Sequence, residues 1–388
     1  MFFSLLRSAM TNTAPDCPIS PEKWGNVYNY AEQQRVVGLA YQGICLLPVS
    51  DRPPRDLFFK WSCATETVQG QNRLLNGIAA RLTEMFAAEG FRSAILKGPA
   101  NARLYPDPTV RQCGDIDIWV EGGRQKVIDL LQRLGLFKVP PKIGWFDYKK
   151  YRESLRENVA VVAPHHIHLK QKIDGVSVEV HFKPSSGILN PFANKRLQRF
   201  LEQEIEKSEK VAEGFCVPSV KFALIMQLSH IQRHFFVGGV GIKQLADYYV
   251  LLQNASDEER TEVSALLHRF GMYRTASAVM WVLDYIFKLD TSKMLCEPNR
   301  KSGKFFLQDV LKGGAFGSNI SRQKRNVFVK WFMSMHRPLQ LLKVDPVEAL
   351  WCFISRWIGF LRTISIRLRA RKLVVRRLFQ KENTIAKE

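Results

Sequence analysis

The sequence predicts an α+β fold, a small mixed β-sheet core flanked by N-terminal and C-terminal helical regions. Two observations lead there. Apolar residues recur at helical spacing before about residue 90 and again beyond Pro184, whereas strand-like alternation is confined to about 93–183. Within that window a strong hairpin signal, Asp174-Gly175, separates two of the alternating runs. The expected organisation is a helical region over 1–90, a mixed-sheet core over 91–185 and a helical domain over 186–298. A basic loop and an amphipathic helical tail over 299–388 complete it.

In order along the chain, Trp24, Tyr28, Ala31, Val36 and Leu39 keep helical spacing, with Pro21 where a helix would begin. Pro53-Pro54 breaks this region. A second helix through Leu74, Leu75, Ile78, Leu82 and Phe86 is expected to end at Gly90. Ser93–Leu96 reads as a short buried strand entering the Lys97-Gly98 turn, followed by a helical stretch over Ala100–Tyr105. Gly114–Val120 alternates acidic and aromatic residues against Ile116, Ile118 and Val120, the mark of a strand, and Arg124–Leu134 reads as a helix. His166–Lys170 and Val176–Phe182 are the two hairpin strands. Helices are then expected over Lys195–Val211, Ser219–His234, Ile242–Leu252 and Asp257–Phe270, with a long polar loop over Asn299–Arg325.

Composition narrows the class of partner. The chain has 388 residues, 46% of them hydrophobic, enough for a sizeable core in two or three packed units. It carries 57 Lys+Arg against 36 Asp+Glu, a formal net charge of +21, which favours polyanions: nucleic acid, nucleotide phosphates or an anionic membrane. Seven scattered cysteines without a CxxC pair indicate neither a zinc ribbon nor a disulfide framework. The first apolar run is too short for a signal-peptide core, and no stretch reaches the roughly 18 apolar residues of a membrane span. A cytoplasmic location follows as the expectation, with peripheral membrane contact left open.

The candidate chemistry sits on the strand Gly114-Asp115-Ile116-Asp117-Ile118. Asp115 and Asp117 are two apart and leave one face, where they repel each other unless a cation lies between them. Bare carboxylates suit a hard divalent ion, Mg²⁺ by default or Mn²⁺. Alone, the pair is a weak signal, and two solvated acids on an edge strand is the plainer reading. Its surroundings add Lys97-Gly98 upstream, where glycine lets backbone N–H groups approach a phosphate. Downstream, Glu179 and His181 share one face of Val178–Phe182. Three carboxylates beside a glycine turn match a two-metal phosphoryl-transfer site.

These residues resemble a known family. Ile95-Leu96-Lys97-Gly98-Pro99-Ala100, Leu104-Tyr105-Pro106 and Arg111-Gln112-Cys113-Gly114-Asp115-Ile116-Asp117 look like the uncharacterised nucleotidyltransferase family of the polymerase-beta-like superfamily. Glu179-Val180-His181 stands for its later strand motif, and His230, His234 and Lys243–Asp247 for its helical region. The resemblance spans roughly Trp24 to Leu252 and implies a nucleotidyltransferase core. It implies Asp115, Asp117 and Glu179 as catalytic metal ligands, with Lys97, Gly98, Arg111, Gly114 and His181 on the nucleotide side. The wider superfamily usually has Gly-Gly or Gly-Ser at the phosphate turn; here Pro99 follows Gly98 and removes one backbone donor. The implied activity is metal-dependent transfer of a nucleoside monophosphate from an NTP to an acceptor hydroxyl on a small molecule, protein or RNA. The competing expectation is a catalytically silent nucleotide- or RNA-binding protein on the same fold.

Weaker signals remain. His165, His166 and His168 invite a zinc reading, and His166 and His168 share a strand face, but no cysteine or third spaced ligand accompanies them, so a structural or phosphate-facing role is expected. His230 and His234 lie one turn apart without the glutamate of a metalloprotease helix, so packing on the core or lining the cleft is expected. Lys243 and Asp247 suit a surface i,i+4 pair or a place in the cleft, and Arg111 a phosphate contact or a solvated side chain. In the tail, Leu350, Phe353, Ile354, Trp357, Ile358, Leu361, Ile364 and Leu368 form a stripe. We expect most of it to be buried, with the basic end beyond Arg367 free to meet an anionic membrane or nucleic acid.

Overall fold

The computed structural model describes residues 2–15, 20–136, 161–313, 335–361 and 364. The chain packs as two units, Met1–Ile320 and Ser321–Glu388. The first unit has the expected α+β architecture. It opens with α1 (Phe2–Thr11), α2 (Trp24–Gln33), α3 (Val37–Cys45) and the long α4 (Arg55–Ala88). Pro54, held in an extended conformation, sets the start of α4. Gly90, at φ +79°, ends it: its N–H donates to the Ala87 carbonyl and that of Phe91 to the Phe86 carbonyl, a Schellman turn. Buried Trp61 ties α4 to its neighbours, donating from Nε1 to the Val37 carbonyl at 2.9 Å and meeting Trp24 and Tyr28 edge-on.

The central sheet holds β1 (Ser93–Ile95), β2 (Asp115–Val120), β3 (Val161–Val162), β4 (His166–His168) and β5 (Ser177–His181), in the order β1-β2-β5-β4-β3. Only β2–β5 is parallel, so the sheet is mixed as predicted. Short α5 (Pro99–Ala102) follows β1, and α6 (Gly123–Arg133) follows β2. The hairpin turn takes positive φ at both Asp174 (48°) and Gly175 (82°), the geometry that made this dipeptide a strong signal. One face of the sheet is apolar. Ile116, Ile118, Val178, Val180 and Ile167, fully buried, pack with Leu75, Ile78 and Phe86 of α4 and with Val127 and Leu130 of α6. Each such side chain contributes about 1.5–3 kcal/mol on burial, which fixes strand parity and leaves the other face to the polar residues.

Beyond the sheet come α7 (Pro191–Glu204), a hairpin of β6 (Glu209–Lys210) and β7 (Cys216–Val217), then α8 (Val220–Val237), α9 (Ile242–Asn254), α10 (Asp257–Leu266), α11 (Tyr273–Phe287) and α12 (Arg300–Gly313). Two expectations need correction. The helix expected through Val211 stops at Glu204, because 209–217 turns back at Gly214 (φ 91°) to bury Phe215 in the sheet core. The loop expected from Asn299 is helical over Arg300–Gly313. Its glycine misled: a Cβ on Gly303 would stand 2.5 Å from the Trp281 ring, so Gly303 serves close helix packing, while Phe306, Leu307 and Val310 supply a buried stripe. The rest of that expected loop, 314–325, lies outside the described residues.

In the second unit, residues 335–341 and 346–361 are helical. Asp345, just before the longer helix, is buried with its Glu348, Ala349 and Cys352, an i, i+3, i+4, i+7 face. Leu350, Trp357, Ile358 and Leu361 are therefore exposed, and Phe353, Ile354 and Ile364 half-buried, against the expectation that most of this stripe is buried. Leu368 and the basic end beyond Arg367 lie outside the described residues. Among the described residues, no helix is long and apolar enough to cross a membrane.

Candidate active site

The polar face of the sheet brings the predicted acids together. In the parallel β2–β5 pair, Asp117 stands opposite Glu179, with Asp115 one pair along opposite Ser177. All three carboxylates leave the same face. Glu179 thus shares the face of Asp115, as a site of three carboxylates needs. The turn after β1 supplies the cation. The Leu96 N–H donates to the Asp117 carbonyl at 2.9 Å, extending the ladder by one residue and delivering Lys97 Nζ to 3.2 Å from Asp117 Oδ2. Gly98 then takes φ +66°, with a Cβ there only 3.3 Å from the Asp115 carbonyl oxygen, so glycine suits the turn on both counts. Pro99 is the first residue of α5, whose first N–H has no helical partner in any case. Gly114, by contrast, is exposed in open space and its position makes no steric demand for glycine.

The electrostatics follow from that packing. Burial works against the Lys97 charge, but Asp117, Asp115 and Glu179 outweigh it and raise its pKa. Burial would likewise raise the Asp117 carboxyl, yet Lys97 and His181 hold it far below the usual carboxylate range. Asp115 goes the other way: the neighbouring Asp117 charge and then burial push it up. His181 is buried, its Nε2 3.1 Å from Asp117 Oδ1 and 3.7 Å from Glu179 Oε2. Burial opposes its charge, while these two carboxylates prevail and raise its pKa.

Arg111 is not a solvated side chain. It is buried, donating from Nε to Asp247 Oδ1 at 2.9 Å and from Nη2 to Asp247 Oδ2 at 2.5 Å, with Nη1 on Cys113 Sγ at 3.0 Å. Tyr105 Oη donates to Asp247 Oδ1 at 2.8 Å. Asp247 is therefore a buried anchor between α9 and the segment leading into β2, not part of a surface pair. A reciprocal amide pair between Asn101 and Gln227, at 2.9 and 2.7 Å, clips α5 to α8. These anchors escaped sequence reasoning, because neither residue type nor spacing marks a partner more than a hundred positions away.

Lys97, Gly98, Arg111, Asp115, Gln227, His230, Lys243 and Asp247 line a cavity of about 40 Å³. Burial, then the Lys97 charge, pushes His230 well below the ordinary histidine range; burial, then Lys97, takes His234 to about 4. Burial and then Arg111 bring Lys243 down to about 8. The expected cleft-lining place of His230 is thus found, and Lys243 joins it. The cavity admits small ions but falls short of the roughly 300 Å³ at which ligand pockets begin. A larger cavity of about 610 Å³, bordered by Tyr41, Gln42, Ser62 and Glu66, includes none of Asp115, Asp117 and Glu179.

The residues fit a divalent cation. Asp117 Oδ2 is buried with the Lys97 ammonium 3.2 Å away as its counter-charge, and three carboxylates on one face carry more negative charge than Lys97 alone offsets. Two clusters bring three ligand atoms within 4.8 Å of one another: Asp117–Glu179–His181 and His165–His166–His181. Asp115 belongs to neither, standing on the cavity side of Asp117. The donor set nearest Glu179 thus contains an imidazole beside the carboxylates.

An α+β fold with this acid-bearing mixed sheet is of the nucleotidyltransferase kind. Residues 20–288 match the family described as uncharacterised nucleotidyltransferase, and the chain belongs to that family. No curated protein matches it. Among solved structures it is similar to an antigenic nucleotidyltransferase-like protein from Paracoccidioides brasiliensis, at 15% identity over 56% of this chain and 93% of that one, with a TM-score of 0.29.

Proposed function

We propose that the chain is a metal-dependent nucleotidyltransferase that moves a nucleoside monophosphate from an NTP to an acceptor hydroxyl. The observation that carries this reading is the convergence of Asp115, Asp117 and Glu179 on one sheet face around Lys97. Mg²⁺ or Mn²⁺ would be held by Asp117 and Glu179 with Asp115 and His181 beside them, and would supply charge neutralisation for the polyphosphate. The chain's own groups do the rest. Lys97 pairs with phosphate oxygens, and Gly98 lets the backbone approach them. Glu179, half-buried, takes the proton of the acceptor hydroxyl. That oxygen attacks the α-phosphorus in line, and the α–β anhydride bond breaks to release pyrophosphate. Nucleotide entry must widen the cleft beside α8 and α9, since about 40 Å³ holds no nucleoside. The proposal includes a cytoplasmic setting, in keeping with six free cysteines among the described residues.

The test is a panel of α-labelled NTPs with Mg²⁺ or Mn²⁺ and candidate acceptors, run on the wild type and on Asp117→Asn. Label transfer lost in a variant with a wild-type melting profile supports the reading; undiminished transfer refutes the role of Asp117. One observation favours the silent alternative: the Lys97 ammonium already neutralises Asp117. Metal-dependent nucleotide binding with no transfer to any acceptor would establish that reading instead.

A further inference from the structure

We infer that His165, His166 and His181 form a second cation site, selective for a first-row transition metal of the zinc class and lying beside the carboxylates. One ring nitrogen from each lies within 4.8 Å of the other two. The three imidazoles come together for reasons visible in the backbone. His166 pairs directly with His181 across the β4–β5 ladder, so their side chains share a face. His165, just before β4, is pinned to the end of β5, its carbonyl accepting from the N–H groups of Phe182 at 3.1 Å and Lys183 at 3.2 Å.

The direction of the rings separates this site from the acids. His181 turns Nε2 to Asp117 at 3.1 Å, and His166 turns Nε2 to Glu179 at 3.6 Å. The opposite nitrogens, Nδ1 of His166 and Nδ1 of His181, are buried and have no hydrogen-bond partner among the described residues. For His181 that is the arrangement of a ligating histidine, one ring nitrogen held by a carboxylate and the other left for a metal, and His166 has Glu179 on its Nε2 side. Two buried nitrogens without partners otherwise leave a cost with no return. An all-imidazole set suits zinc, copper or nickel far better than magnesium, and three protein ligands leave a position open. His168 stays outside the cluster, its Nδ1 3.4 Å from Glu179 Oε1 and its ring partly exposed. The third ligand missing from the local His165–His168 run is thus His181, brought in from another strand.

The test uses the full chain, stripped with chelator, loaded with Zn²⁺ in excess Mg²⁺ and desalted. We expect one retained Zn²⁺ per chain, a rise in Tm on loading, and X-ray absorption showing imidazole scattering from three rings. His165→Ala and His166→Ala should each weaken Zn²⁺ binding by at least about tenfold, whereas His168→Ala and Asp115→Asn should leave it unchanged. Zn²⁺ lost in Asp115→Asn but kept in His165→Ala would place the ion on the acids and overturn the inference. So would no retained Zn²⁺, or an oxygen-dominated shell in the wild type, whether or not the variants fold. Because Asp115 and Lys97 are not part of this cluster, failure here leaves the nucleotidyl-transfer assay to decide its own question.

Discussion

Replacing Asp247 with Ala should be among the most destabilising single changes in the first unit. The side chains of Arg111 and Asp247 are each only 5% exposed, and two hydrogen bonds of 2.9 and 2.5 Å join them. Water cannot compensate a guanidinium left at that position. Breaking one partner of such a buried pair costs about 3–5 kcal/mol, most of it the penalty of the remaining charge. Tyr105 loses its acceptor as well, adding about 1 kcal/mol. The double variant Arg111→Met with Asp247→Leu removes both charges and should recover most of the loss, so the coupling between the sites is large. Urea unfolding followed by tryptophan fluorescence reads all four corners of the cycle, since Trp24, Trp61 and Trp119 are buried reporters. A cost below about 1 kcal/mol for Asp247→Ala, or a double variant as unstable as the sum of the singles, would refute the anchor.

Three further outcomes are expected. Lys243 has a folded pKa of about 8 against an ordinary 10.5, so the folded state disfavours its charge; wild-type stability should therefore rise with pH across that window, and Lys243→Met should be more stable near neutrality and lack the rise, as denaturant midpoints against pH will show. Gly303→Ala gains about 0.5–1 kcal/mol of helix propensity but drives a Cβ to 2.5 Å from the Trp281 ring, so a net loss, from an overpacking cost of about 1–3 kcal/mol, should appear in thermal melts. The exposed Leu350, Trp357, Ile358 and Leu361 should carry binding to anionic vesicles that weakens with added salt, and salt-independent binding, or none, in a flotation assay removes the membrane partner.

Much of the site was legible because strand parity is a local property. Alternation placed Ile116, Ile118 and Val120 on one face, and their complete burial shows that the core chose that face. Asp115, Asp117 and Glu179 then had to lie together on the other. The exposed tail stripe was not legible, because a helix with apolar residues around much of its circumference has more than one face to bury. There the Ala349–Cys352 side is buried in its place.

The histidines show where local reading stops. A two-residue turn at Asp174-Gly175, counted outward without interruption, pairs His168 with His181, and the turn does begin that way with Ile173 bridging Val176. Further out the register has slipped by two, so His166 meets His181 and His168 meets Glu179. An even slip preserves every face, which is why the core tolerates it and why no hydrophobic pattern reveals it. Its chemical effect is large: it pairs His166, and not His168, with His181 beside the pinned His165, and sets His168 opposite Glu179. Parity decides which groups share a surface, but register decides which of them can hold one ion, and only packing beyond the turn sets the register.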